Sequence, residues 1–487
     1  MTRGNQSEKV GLEATDEMGE LVYANGIDAT TGGYLLPPLR PAEIADLARR
    51  QEPDRDLLAA LRKATGASGD HLGLPFDVDP ANLAQAGWGV VFSADEDAQV
   101  QDALAPLLAL RMSQMTDAAR MKQLDYVTGE SRRSWLARHG VTAGNVDPTC
   151  VPYYLLVVGC PEKIPFGFCR ELSVEYAVGL LSFDTPPEYA AYVASVVAAE
   201  SNELKPRSRR VTFFCPRHPF DPATELSADQ LVKPLADGNL ASRVGCDFES
   251  ISGDAATHEA LAGVLARRNA TAPGLLFTAS HGMGFPAGHA DQRARQGALV
   301  CQDWAGPRAG AIARDQYFAG ADVPDDADVS GLFAFFFACF SAGTPARDRF
   351  AHTPGAEPPE LADAAFASAL PQRLLAHPGG SALGCIGHVE RAWGDSIVEA
   401  GAGPQLIPFE NAIGNVLAGK PIGLALKDFN ERFAALSVSL AGLLEQIGNG
   451  LIVPDRQLAR AWIQRNDAEG YALFGDPAAR LRLEQAA

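Results

Sequence analysis

Two short apolar runs, each opened by glycine, set the reading of this chain. Gly274–Ala279 reads G-L-L-F-T-A, and Gly331–Ala338 reads G-L-F-A-F-F-F-A. Runs of this length without polar alternation suit strands buried on both faces of a parallel sheet. Similar runs recur at Val90–Phe92, Tyr153–Val158, Val211–Phe214 and Ala382–Gly387. Between them the apolar positions fall at helical spacing, over 97–115, 132–139, 229–235, 256–268, 361–376, 410–417 and 422–443. Strand and helix therefore alternate, which predicts an α/β protein with a doubly wound sheet and helices on both faces.

Polar interruptions divide the chain. Residues 1–80 are irregular and punctuated by glycine and proline, from Asn25-Gly26 to Pro37-Pro38, before a helix-like run over 42–63. This segment reads as a pro-segment, a docking surface or packing. A smaller α/β subdomain is expected over 81–205. The polar, basic stretch Ser201–Arg210 then precedes a new strand, so a catalytic subdomain is expected over 206–487. Residues 283–329 are charged and glycine-rich and read as one long functional loop.

Charge narrows the class. The chain has 60 acidic against 41 basic residues, a net charge of −19, which argues against nucleic acid and anionic membrane surfaces as partners. Its first thirty residues contain no apolar stretch of the signal-peptide kind, and no apolar run reaches the roughly 18 residues of a membrane span. A cytoplasmic location is the expectation. The eight cysteines contain no C-x-x-C, and the nine histidines no H-E-x-x-H, so neither a disulfide framework nor a zinc site is expected. No cofactor is implied, with a structural or activating calcium ion left open.

Chemistry enters where the two apolar runs end. The first leads into Ser280-His281-Gly282 and the second into Cys339-Phe340-Ser341, and catalytic groups gather at the carboxyl ends of parallel strands. A thiol with a reference pKa of about 8.5 is a few per cent thiolate at neutral pH, so a neighbouring imidazole raises the supply of nucleophile. Gly282 lets its N–H approach a substrate carbonyl, and the N–H of Cys339 supplies a second oxyanion donor. Ser341 and Gly343 turn the chain behind the nucleophile. An α/β-hydrolase elbow wants glycine two residues on either side of the nucleophile, where this chain has Phe337 and Ser341; that reading would make His377 or His388 the base. A phosphate loop at His281–Gly288 is opposed by Pro286.

At these residues the chain resembles the caspase-like cysteine peptidases, which share an apolar strand, His-Gly, a loop, and a second apolar strand ending in Cys. Three further segments resemble the gingipain-type branch: Tyr154–Gly159 with Ile164-Pro165, His388–Trp393, and Phe474-Gly475-Asp476-Pro477. The resemblance implies a caspase-like sheet and a cysteine endopeptidase acting on protein or peptide substrates through His281 and Cys339. It also implies an acidic S1 pocket for arginine or lysine, with Asp229 at its base, Glu225 beside it and Trp393 as a wall. Arg217 is the competing candidate, for an acidic P1. A catalytically silent scaffold of the same fold is the other alternative. Control is expected through a zymogen cut at Arg207–Arg210 or Arg293–Arg295, by the enzyme itself or by an upstream activating protease, or through a regulatory protein. Gingipains are exported, and the absence of a signal-like start departs from them.

Overall fold

Ten strands form one continuous sheet in the computed structural model, which describes residues 21–51, 57–58, 74–266, 272–350, 357–399 and 403–485. From edge to edge they are Met121–Tyr126, Trp88–Ser93, Tyr154–Val158, Ala177–Leu181, Tyr471–Gly475, Gly384–His388, Phe333–Phe337, Pro273–Ala279, Ser208–Cys215 and Asp247–Ser252. Neighbours are parallel throughout, except where Tyr471–Gly475 meets Gly384–His388. Counted in chain order, the four strands of the first half lie as 2-1-3-4 and the six from Ser208 onward as 2-1-3-4-5-6. Each half is thus wound outward in both directions from its first strand, as the alternation of the sequence predicts.

The apolar runs form central strands because both of their faces are covered. All of Phe333–Phe337 and Pro273–Ala279 is buried. Phe335 stacks on Phe277 with ring centroids 4.9 Å apart, and Phe409 of the Ile407–Leu417 helix closes over both. Burying one such ring is worth about 1.5–3 kcal/mol. A single apolar core extends from Val78 to Leu481 and includes side chains from both halves.

The two halves meet at Tyr471–Gly475. Immediately after it, the buried Asp476 carboxylate accepts from Trp88 Nε1 at 2.9 Å and from Arg111 Nε and Nη2 at 2.9 and 2.6 Å. Arg111 is fully buried and also pairs with Glu200 at 2.7 Å. Removing one partner strands a charge away from water, so Asp476→Ala should cost about 3–5 kcal/mol in urea unfolding. A loss under about 1 kcal/mol would contradict this account of the seam.

Several expectations change in detail. The basic stretch before the Val211 strand is not a free linker: Ser208, Arg209 and Arg210 are in the strand, and Arg207 is buried on Asp328 and the carbonyl of Pro273. Arg293 and Arg295 lie in a short helix, Gln292–Arg295. The stretch expected as one long loop instead holds most of Gly282–Gly284 and all of Leu299–Val300 and Tyr317–Phe318, which join Gly26–Asp28 in a second, four-stranded sheet. The helix expected over 42–63 is seen as Pro41–Arg49, and much of its remainder lies outside the described residues. Among the described residues no helix is long and apolar enough to cross a membrane.

Candidate active site

Three adjacent strands deliver three side chains to one place. Beyond the carboxyl ends of Ser208–Cys215, Pro273–Ala279 and Phe333–Phe337 stand Asp221, His281 and Cys339. Ala279 pairs with Phe337 in the parallel register, so His281 and Cys339 each follow by two residues the last paired rung. This is the side of an α/β sheet, and close to the strand at which its winding reverses, where ligands collect.

Gly282 fixes the His281 loop against the nucleophile. A Cβ placed on it would lie 1.8 Å from the carbonyl oxygen of Cys339 and 2.8 Å from its nitrogen, a space no side chain can share. Phe340, just after Cys339, takes a left-handed φ of 57° and donates its N–H to Glu390 O at 2.6 Å. Such a conformation is costly for a large side chain and is typical of a sharp turn at a functional site. Ser341 holds the turn: its hydroxyl bonds Ala338 O at 2.7 Å and accepts from His388 N at 2.9 Å.

Electrostatics divide the imidazole into two ends. His281 Nε2 lies 2.7 Å from Asp221 Oδ2, both residues being fully buried. Asp221 also caps the following helix by accepting from Thr224 N at 3.0 Å, and its other oxygen accepts from Tyr34 OH at 2.8 Å. Burial alone would raise the Asp221 carboxyl, but His281, Thr224 and Tyr34 outweigh it and hold it well below the usual carboxylate range. His281 Nδ1 is buried and has no hydrogen-bond partner among the described residues. That end is free to exchange a proton. Cys339 Sγ accepts from Ala392 N at 3.2 Å, and burial pushes its thiol up to about 12, so the group is neutral in this state.

The site is filled by the chain's own N-terminal segment. The carbonyl of Asn25 accepts from Gly282 N at 3.1 Å and from Cys339 N at 3.4 Å, while Asn25 N donates to Ala392 O at 3.0 Å. Its side chain is buried, with Nδ2 donating to Ser227 Oγ at 3.2 Å. Ser227 begins a π-helical turn, Ser227–Val232, inside the helical stretch that starts at Pro222; such turns often mark functional sites. Gly26–Asp28 continues as a strand parallel to Gly282–Gly284.

The residues expected to form S1 are distributed differently. Asp229 and Glu225 both pair with Arg217, at 2.9 and 3.1 Å, in a solvent-exposed cluster. Trp393 is buried, its ring 4.6 Å from Phe350 in an apolar cluster that also holds Ala24. Gly394, beside it, is the residue that faces the Asn25 amide. Of the alternative bases, His377 bonds Pro324 O at 2.9 Å and His388 packs between Phe337 and Tyr471. Sequence reasoning did not single out Asp221, Ser227, Ala392 or Asn25. Asp221 does carry a local signal, since Asp followed by Pro at the first helical position is a helix start. Among the described residues no cluster of His, Cys, Asp or Glu is gathered to hold a metal ion.

No protein-family model and no curated protein matches the chain. Several solved chains are similar to it, two of them as follows. One, "Structure of Protease", is 12% identical with a TM-score of 0.46 and covers 81% of this chain and 78% of that one. The other, "Complex of Porphyromonas gingivalis RgpB pro- and mature domains", is 10% identical with a TM-score of 0.41 and covers 81% and 80%.

Proposed function

We propose that the chain is a cysteine endopeptidase of caspase-like architecture, with Cys339 as nucleophile, His281 as proton carrier and Asp221 as the carboxylate that orients the imidazole. The observation that carries this reading is the Asn25 carbonyl, gripped by the N–H groups of Gly282 and Cys339 beside the Cys339 thiol. Two fixed donors aimed at one peptide oxygen are what a tetrahedral intermediate needs, because its developing charge meets dipoles already in place. The thiol gives its proton to His281 and attacks the carbonyl carbon. The imidazolium then protonates the departing amine, and water hydrolyses the thioester. In this reading Asp221 stabilises the imidazolium through Nε2, and Nδ1, which has no hydrogen-bond partner among the described residues, carries the proton.

Hydrolysis of a peptide library tests the reading, and its complete absence from every preparation would overturn it. Asp221→Asn probes the orienting role without disturbing the helix cap, since asparagine caps as well as aspartate. It should lower kcat by about 10³- to 10⁴-fold with little change in KM, and lower the melting temperature as well, because the fold favours the charged Asp221 carboxylate. An unchanged kcat would remove Asp221 from the mechanism.

A further inference from the structure

Resting on the peptidase reading, we infer that the bond between Asn25 and Gly26 is this enzyme's own first substrate, cut in cis, and that S1 is shaped for asparagine. Backbone contacts hold the segment on both sides of that bond. Asn25 N and O are engaged by Ala392, Gly282 and Cys339, and Gly26 O accepts from Leu35 N at 3.0 Å. Before the bond, Val22 and Leu39 exchange two backbone hydrogen bonds at 2.9 and 3.1 Å. An extended segment added beside a strand is how proteins commonly bind peptides.

The side chains on either side of the bond fit the same role. A Cβ on Gly26 would come within 3.1 Å of Cys339 Sγ and 2.7 Å of Leu35 Cδ1, so the leaving-group side admits glycine and crowds anything larger. On the acyl side the Asn25 amide bonds Ser227 Oγ, and a Cβ on Gly394 would reach its Oδ1 at 3.4 Å. This pocket presents the Ser227 hydroxyl to the Nδ2 of a short amide, while Oδ1 is buried with no hydrogen-bond partner among the described residues. The carboxylates expected to meet arginine, Asp229 and Glu225, are engaged by Arg217 instead.

The reaction balances with water as the only co-reactant. Cys339 Sγ bonds to the Asn25 carbonyl carbon as the bond to Gly26 N breaks, and the thiol proton passes through His281 to the new amine. Water then splits the thioester, giving an Asn25 carboxylate and restoring the thiol. Ile27 is fully buried with Met283 and Trp304, so the new Gly26 terminus stays anchored, while the segment that ends at Asn25 is then held only by non-covalent contacts such as the Val22–Leu39 pair and must dissociate to uncover S1.

Intact-mass and N-terminal sequencing of the full chain, followed over time at two concentrations tenfold apart, test the inference. Wild type should yield a chain starting at Gly26 at a rate independent of concentration, and Cys339→Ala should stay whole. Asn25→Gln, checked for an unchanged melting temperature, should be cut about 10- to 200-fold more slowly, the usual worth of one methylene in a fitted pocket. If the bond stays whole, or a different bond is cut, in a preparation that hydrolyses a peptide library, the inference falls and the peptidase reading stands. A rate that rises with concentration, or Asn25→Gln cut as fast as wild type, also overturns it. Neither cleavage nor library hydrolysis would remove both.

Discussion

Cys339→Ala and His281→Ala should each lower peptide hydrolysis by on the order of 10⁴- to 10⁶-fold, because nucleophile and proton carrier act as one unit. The dependence on His281 is strict here for a physical reason. Burial pushes the Cys339 thiol up to about 12, so it is neutral while covered and does not ionise unaided near neutral pH. Cys339→Ala removes one buried sulfur and the acceptor of the Ala392 N–H, so kcat should collapse while melting temperature falls by only a few degrees. The double variant should be little worse than either single one. Near-wild-type kcat in either variant would contradict the assignment.

Gly282→Ala should be nearly as damaging, by a different route. The added methyl would lie 1.8 Å from the carbonyl oxygen, 2.7 Å from the carbonyl carbon and 2.8 Å from the nitrogen of Cys339, all of them backbone atoms that no rotamer change can move. The His281 loop and the nucleophile turn must separate, which displaces both oxyanion donors. Loss of one such donor costs about 10²–10³ in kcat, so a fall of more than about 10³-fold is expected. Gly263→Ala is the control, in the interior of the His258–Ala266 helix with nothing within 4 Å of the new methyl. There alanine should stabilise by roughly 0.5–1 kcal/mol and leave kcat unchanged. A Gly282→Ala chain that folds and hydrolyses peptides normally would show that this close approach is not required.

The centre of the site was legible because its strands are unusual as sequence. A phenylalanine-rich run that opens with glycine and ends in Cys339 fits few places other than a central parallel strand, and register did the rest, setting His281 and Cys339 at matching distances past the Ala279–Phe337 rung. The carboxylate was harder to find. Pattern reasoning gave His281 no carboxylate partner and assigned Asp229 to an S1 pocket; only the fold shows Asp221 beside His281 and Asp229 at the surface with Arg217. Asn25 lay beyond reach altogether. Gly26–Asp28 is too short for a periodic signature, and its partner Gly282–Gly284 is remote in sequence and ran from the Gly282 oxyanion candidate into what read as a loop. Phe474-Gly475-Asp476-Pro477 was singled out by resemblance near the end of the chain, yet the strand Tyr471–Gly475 that leads into it lies between the two halves of the sheet, since order along a chain does not fix order across a sheet.

Covalent capture tests the central claim most directly. A preparation active on the peptide library is treated with peptidyl chloromethyl ketones carrying asparagine or arginine at P1, and the adduct is mapped by mass spectrometry. A single modification on Cys339, lost in His281→Ala and faster with the asparagine reagent, is the predicted result. Hydrolysis that continues with Cys339 unmodified, or an adduct on a different cysteine while Cys339→Ala still cleaves peptides, would contradict it.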